Sequence, residues 1–142
     1  MIRHIPSLEK LNSMNSNTLM ETLSIKFTEV GTDFLKATMP VNASTHQPMG
    51  LLHGGASAAL IESIGSLGSA LCVDLEKEAI VGLEINANHI KGVKSGMVHA
   101  KGKLLHCGKS THLWQVEIKN DLEELICIGR LTVMVIQKKS KH

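Results

Sequence analysis

Residues 53–72 read His-Gly-Gly-Ala-Ser-Ala-Ala-Leu-Ile-Glu-Ser-Ile-Gly-Ser-Leu-Gly-Ser-Ala-Leu-Cys, and this run limits the folds open to the chain more than any other. Between Val41 and Val73 the single formally charged residue is Glu62. A helix drawn through the run carries apolar or small side chains on every face, so it should be buried all round. At about 1.5 Å per residue it would be roughly 30 Å long, enough to cross a small domain. Gly55, Gly65, Gly68, Ala56, Ala59 and Ala70 would let another element approach closely. A carboxylate inside such a helix needs an explanation, because burying it unpaired costs several kcal/mol or forces its pKa upward. Either Glu62 meets a partner, water or solvent at a helix edge, or it is a functional acid, since perturbed carboxylates in buried surroundings cluster at active sites.

The rest of the composition narrows the class. A chain of 142 residues with 43% hydrophobic residues is one soluble globular domain, 1–142, large enough for a real core. A formal net charge of +2 leaves no nucleic-acid footprint. Phe27, Phe34 and Trp114 are the only aromatics, which argues against base-stacking platforms and aromatic-rich ligand cages. Cys72, Cys107 and Cys127 are odd in number and scattered, without CxxC or metal-ligand spacing, so neither a disulfide framework nor a zinc site is expected. The first residues lack an apolar signal core, and the helical run is too rich in Gly and Ser, with Glu62 at its middle, to span a membrane. The expectation is a cytoplasmic protein with no membrane, nucleic-acid or metal partner.

Periodicity sets out the elements. Ser7 is a good N-cap for a short amphipathic helix, and residues 13–18 read as a polar loop. Leu23, Ile25 and Phe27 alternate with polar residues as in a strand. Gly31-Thr-Asp33 is a turn, and Leu35, Ala37 and Met39 alternate in a second strand that should close a hairpin. Residues 40–52 form a loop into the long helix, and 74–78 a charged connection out of it. Leu83, Ile85 and Ala87 mark a third strand; Val98, Ala100, Gly102 and Leu104 a fourth; Trp114, Val116 and Ile118 a fifth. Residues 125–136 are nearly all apolar, as expected of a central strand covered on both faces, and the tail from 138 should be solvated and frayed. Short turns imply antiparallel pairing, and one sheet wrapped round one helix is an α+β solution.

Four features carry chemistry. His53-Gly54-Gly55 stands at the helix start, where backbone N–H groups lack partners and the dipole end is positive. Those groups are a ready oxyanion hole, unless the glycines merely turn the chain. Gln47 offers an amide that can orient a carbonyl or water, or is simply solvated. Glu62 offers a base or nucleophile. Ser66, four residues on, shares its helical face and can bond it, a water, or its own helix backbone. Gly54 and Glu62 are eight residues apart, about 12 Å of axial rise, so one carbonyl cannot touch both. Two such helices packed antiparallel would bring the start of one beside the middle of the other, which points to a site built across a homodimer.

The run from Gln47 to Ser66, with Val81-Gly-Leu-Glu-Ile-Asn-Ala-Asn-His89 and Trp114-Gln-Val-Glu-Ile, strongly resembles hotdog-fold acyl-CoA thioesterases over nearly the whole chain. Within them it is most similar to the aromatic-acyl group, the 1,4-dihydroxy-2-naphthoyl-CoA hydrolases of menaquinone synthesis. The resemblance implies a hotdog fold, an antiparallel sheet of about six strands around one central helix. It implies Glu62 as the carboxylate that attacks the thioester or activates water, Gly54 N–H as the group polarising the carbonyl, Gln47 and His53 as positioning groups, and Ser66 as an assistant. It implies no cofactor, coenzyme A being part of substrate and product, and a homodimer assembled as a dimer of dimers. Gly82, the stretch His89, Ile90, Lys91, Gly92 and the loop His106, Cys107, Gly108, Lys109, Ser110, Thr111 match the family's coenzyme A contacts, and lysines and loop N–H groups suit phosphates. Lys91 stands where relatives often carry Arg, a weaker phosphate fork. Gly108-Lys-Ser110 lacks the first glycine of a P-loop.

Two rivals share the fold. A hotdog dehydratase would pair a His from the preceding loop with a helix acid behind a Pro-rich entry. A non-catalytic acyl-CoA-binding regulator would tend to lose the helix acid or gain a DNA-binding segment. Glu62 is present, and no basic helix-turn-helix stands in the sequence.

Overall fold

The computed structural model describes residues 1–139 of the chain. Helix α1 (Leu8–Ser13) and a single helical turn α2 (Leu19–Thr22) precede strands β1 (Lys26–Val30) and β2 (Phe34–Val41). The long helix α3 (Gly54–Ala70) follows, then β3 (Glu78–His89), β4 (Gly96–Cys107), β5 (Thr111–Lys119) and β6 (Leu125–Gln137). The six strands form one antiparallel sheet in the order β1-β2-β4-β5-β6-β3, with α3 packed across one face of it, against β2 to β6. No helix of the described residues is long and apolar enough to cross a membrane.

The sheet-facing stripe of α3 is Leu60, Ile61 and Ile64, none with measurable exposure, flanked by Ala56, Gly65, Gly68 and Ser69. Each of the three large side chains stabilises by about 1.5–3 kcal/mol through burial alone. Gly68 is a steric requirement, since a β-carbon there would run into the Trp114 indole. Trp114 is fully buried, and its Nε1–H donates to Ser69 Oγ at 2.9 Å, so the one polar atom of the ring is satisfied inside the core.

Several expectations change. The helix is 17 residues long, ending at Ala70 rather than Cys72, and it is not buried all round. Ala58, Ala59, Glu62, Ser63, Ser66 and Leu67 are only half-buried, because a single sheet covers a single face. The first strand is displaced to Lys26–Val30: residues 19–22 make a helical turn, and Ser24, at φ 55°, breaks the extended run. Leu23 and Ile25 still reach the core, from a turn rather than a strand. The third strand starts at Glu78, inside the expected charged connection, and its alternating Leu83 and Ile85 are exposed. The reason is topological: β3 pairs with β6 and lies at the sheet edge, not beside β4. Strand β6 is interior, but its second face is only half-covered, at Ile128, Thr132 and Met134, and Arg130 is exposed. Lys138 donates its backbone N–H to Lys77 O at 2.8 Å and its ammonium to Leu75 O, so the chain is still tied at 138. The rest of the expected loose tail, 140–142, lies outside the described residues.

Candidate active site

The loop 42–53 feeds α3 through a cap. His53, in extended conformation, accepts the Gly55 N–H on Nδ1 at 2.7 Å, and its carbonyl accepts from Ala56 N at 2.9 Å and Ser57 N at 3.3 Å. A neutral ring accepting on Nδ1 carries its proton on Nε2. Of the first-turn donors only the Gly54 N–H has no partner among the described residues. It is a free donor at the positive end of the 17-residue helix.

That N–H opens into a cleft of about 300 Å³ with Gln47, Leu51, Leu52, Ser57, His89, Lys91 and Ile126 in its walls. Gly54 packs so tightly on His89 that a β-carbon at 54 would stand 2.9 Å from its Nε2. The Gln47 backbone closes a turn with Leu51 and Gly50, and its side-chain oxygen accepts from Met49 N, which leaves the amide N–H groups to serve as donors. Ser57, missed in the sequence, lies one helical turn past Gly54, and that spacing was the signal available for finding it.

Glu62 is not in this cleft. Half-buried on the outward face of α3, it makes no ion pair among the described residues. Its Oε1 accepts from Ser66 Oγ at 3.3 Å. A β-carbon at residue 82 would lie 2.7 Å from that same oxygen, so glycine there lets the carboxylate rest against the β3 backbone. Gly82, expected at coenzyme A, thus sits at the acid.

The remaining expected contacts fall at both ends of α3. His89, Ile90, Lys91 and Gly92 line the cleft at its N-terminal end. The Lys91 ammonium is held by Glu124 at 2.5 Å, an exposed pair that pulls the Glu124 carboxyl below its ordinary range. The β4–β5 turn closes with Gly108 N donating to Thr111 O at 2.8 Å, and Ser110 O accepts from Val135 N. Cys107, Gly108 and Lys109 border a separate cavity with Cys72 and Val73, just past the C-terminal end of the helix. Within one chain, then, the free Gly54 N–H, the Glu62 carboxylate and this loop are spread along the helix from its start to its end.

The thioesterase superfamily model matches residues 49–127, which span α3, the acid and all of the cleft lining except Gln47. The 1,4-dihydroxy-2-naphthoyl-CoA hydrolase of Escherichia coli is 46% identical over 130 residues, covering 92% of this chain and 95% of its own. The proofreading thioesterase EntH of Cronobacter turicensis is 42% identical over 134 residues, covering 94% and 96%. A thioesterase of Pseudomonas aeruginosa, solved as a mutant, superposes with a TM-score of 0.93 at 45% identity over 96% of this chain and 98% of that one. With the sheet, the helix and the match in agreement, the chain belongs to the thioesterase superfamily, as a hotdog-fold thioester hydrolase.

Proposed function

We propose that the enzyme hydrolyses aromatic acyl-coenzyme A thioesters, with Glu62 as the catalytic carboxylate and each site shared by two subunits of a homodimer. The observation that carries this reading is the separation along α3. A Gly54 N–H without a partner and a Glu62 carboxylate without an ion pair, both among the described residues, stand about 12 Å apart on one helix, too far for one carbonyl. The 12-residue edge strand β3 runs beside Glu62 and carries exposed Val81, Leu83 and Ile85. Pairing β3 with β3 of a second copy would lay the two helices antiparallel. It would also bring the start of one helix, and the loop beyond the far end of the other, to the same acid.

In such a site the partner subunit's Gly54 N–H donates a hydrogen bond to the thioester oxygen, which gains negative charge as the carbon becomes tetrahedral. Glu62 either adds to that carbon, expelling coenzyme A thiolate and leaving an anhydride that water cleaves, or takes a proton from water as the water adds. Either way one water is consumed, the C–S bond breaks, and the products are the free acid and coenzyme A. Gln47 and His53 hold the thioester at the helix mouth, and Ser66 holds the Glu62 oxygen. Residues 89–92 and 106–111 bind coenzyme A. The likeness to the E. coli hydrolase makes 1,4-dihydroxy-2-naphthoyl-CoA, in menaquinone synthesis, the first substrate to try. The same reading takes the enzyme as a cytoplasmic dimer of dimers.

Thiol release from a panel of aromatic and aliphatic acyl-CoAs tests it. Aromatic thioesters should give the higher kcat/KM, and a clear preference for medium-chain aliphatic ones would refute that part. Glu62→Gln keeps the shape and removes the charge, so kcat should fall by roughly two or more orders of magnitude with KM little changed. A folded Glu62→Gln protein that turns over like wild type would remove Glu62 from the mechanism.

A further inference from the structure

We infer that Cys72, Cys107 and His112 form a binding site for a thiophilic d10 metal ion, zinc(II) in the first instance, at the C-terminal end of α3. The two sulfurs and a ring nitrogen of His112 lie within 4.8 Å of one another. Two of the three ligands are fixed by the sheet: Cys107 and His112 are register partners across the β4–β5 hairpin, directly opposite one another. The third follows α3 immediately, and Arg3 N donating to Leu71 O at 2.9 Å ties the N-terminal segment against that turn.

The second observation is independent of the cluster's shape. His112 is 2% exposed, and among the described residues its Nδ1 has no hydrogen-bond partner. A buried polar atom without a partner costs free energy unless something binds it.

The donor set fits the ion. Two sulfurs and one nitrogen around a tetrahedral zinc stand about 3.5–3.8 Å apart, so side-chain rotations that contract the cluster by about 1 Å would close it. Two thiolates and a neutral imidazole balance a divalent charge. Cys72 is buried and Cys107 is exposed, so the site is reached from the cavity side. Coordination by two thiols breaks two S–H bonds, forms two S–metal bonds and releases two protons to solvent. The fourth position faces a cavity of about 230 Å³ that also holds Arg3, Glu78 and Lys109, with room for water. A borderline-soft ion is favoured over calcium or magnesium because the set contains sulfur and no free carboxylate; Glu78 is spent on Asp74 N and Gln137. The inference does not depend on which thioester the enzyme cleaves.

The test uses the full-length reduced protein, stripped with a chelator and titrated with zinc in competition with a chromophoric indicator, and separately with cobalt(II). We expect one zinc per chain, release of about two protons per zinc, and thiolate-to-cobalt charge-transfer absorption. Cys72→Ser should weaken zinc binding by at least 100-fold. Cys107→Ser, a change at an exposed position that leaves the core alone, should do the same if the first variant folds poorly. Cys127→Ser removes the remaining cysteine and should leave the stoichiometry at one. Zinc bound without proton release, zinc binding indifferent to both Cys72→Ser and Cys107→Ser, or no stoichiometric zinc at all would each overturn the site. So would recovery of the chain as a Cys72–Cys107 disulfide that takes up no metal until reduced and none afterwards.

Discussion

The two edges of the sheet are built in opposite ways. Strand β1 has five residues, carries a bulge between Phe27 and Glu29, and is clamped by side chains from its own chain. Asn12 accepts the Phe27 N–H at 2.8 Å and donates to the Phe27 carbonyl at 2.9 Å, imitating a neighbouring strand, and Asn15 donates to Ile25 O at 2.8 Å. Strand β3 has twelve residues, three exposed apolar side chains and no strand on its outer side among the described residues. Short, bulged and covered edges resist pairing with another chain, whereas long apolar ones invite it. The difference teaches that β1 is finished within the protomer, whereas β3 is left with the features of a joint, and the candidate acid stands beside β3.

The largest effect should come from spoiling β3. Leu83→Asp with Ile85→Asp sets carboxylates along the edge, and like charges would face one another across a β3–β3 seam. Light scattering should show a monomer with an unchanged circular-dichroism spectrum, and thiol release should fall by about two orders of magnitude or more. A dimeric, active double variant would remove β3 as the joint.

A smaller but more specific signal comes from mixing two inactive proteins, Glu62→Ala and Gly54→Pro, the second lacking the N–H. In a shared-site heterodimer one site collects both defects and the other has neither. Co-refolding should therefore restore up to about half of the activity per heterodimer. No recovery, with heterodimers demonstrated and Gly54→Pro folded, would put the whole site in one chain.

How far the sequence reached follows the same division. The long helix, its lone acid, the free N–H at its start and Gln47 all fall in one contiguous run, where spacing converts directly into geometry. The β1–β2, β4–β5 and β5–β6 hairpins follow from local turn signals. The β3–β6 pairing does not, because its strands are far apart in sequence, and without it the alternation of Leu83 and Ile85 says nothing of which edge they face. The displaced β1 escaped for another reason: its start depends on Ser24 in the left-handed region and on the Asn12 clamp, neither of which leaves a periodic trace. The grouping of Cys72, Cys107 and His112 was invisible for the same reason as β3, since spacing in the chain gives no metal signature when the fold supplies the proximity.

At the closed edge, Asn12→Ala removes both bonds to Phe27 and leaves its backbone to water. The expected loss is about 1–3 kcal/mol, a fall in Tm of roughly 3–10 °C. Oligomeric state and kcat should not move, which separates this edge from the other. Dissociation of the Asn12→Ala protein would show that β1 also serves the assembly.

The smallest effect is at the chain's exit from β3, where Lys91 is held by Glu124. If Lys91 serves a phosphate, it must leave or share that carboxylate, so Glu124→Gln should lower KM for the acyl-CoA by about two- to threefold without changing kcat, as expected for an exposed pair. The pH dependence has a definite sign. Hydrogen bonds from Lys91 first, then Asn120, hold Glu124 below its ordinary value of 4.5, so its charge is fully present above that value and is lost only as pH falls through the lowered one. The KM difference between wild type and Glu124→Gln should therefore be flat from neutral pH down to about 5, where the lowered Glu124 carboxyl of the folded chain stays charged. It should shrink only in more acid solution, as the wild-type carboxylate takes up a proton and releases Lys91. A KM that rises in Glu124→Gln would mean that Glu124 positions Lys91 for the phosphate rather than competing with it.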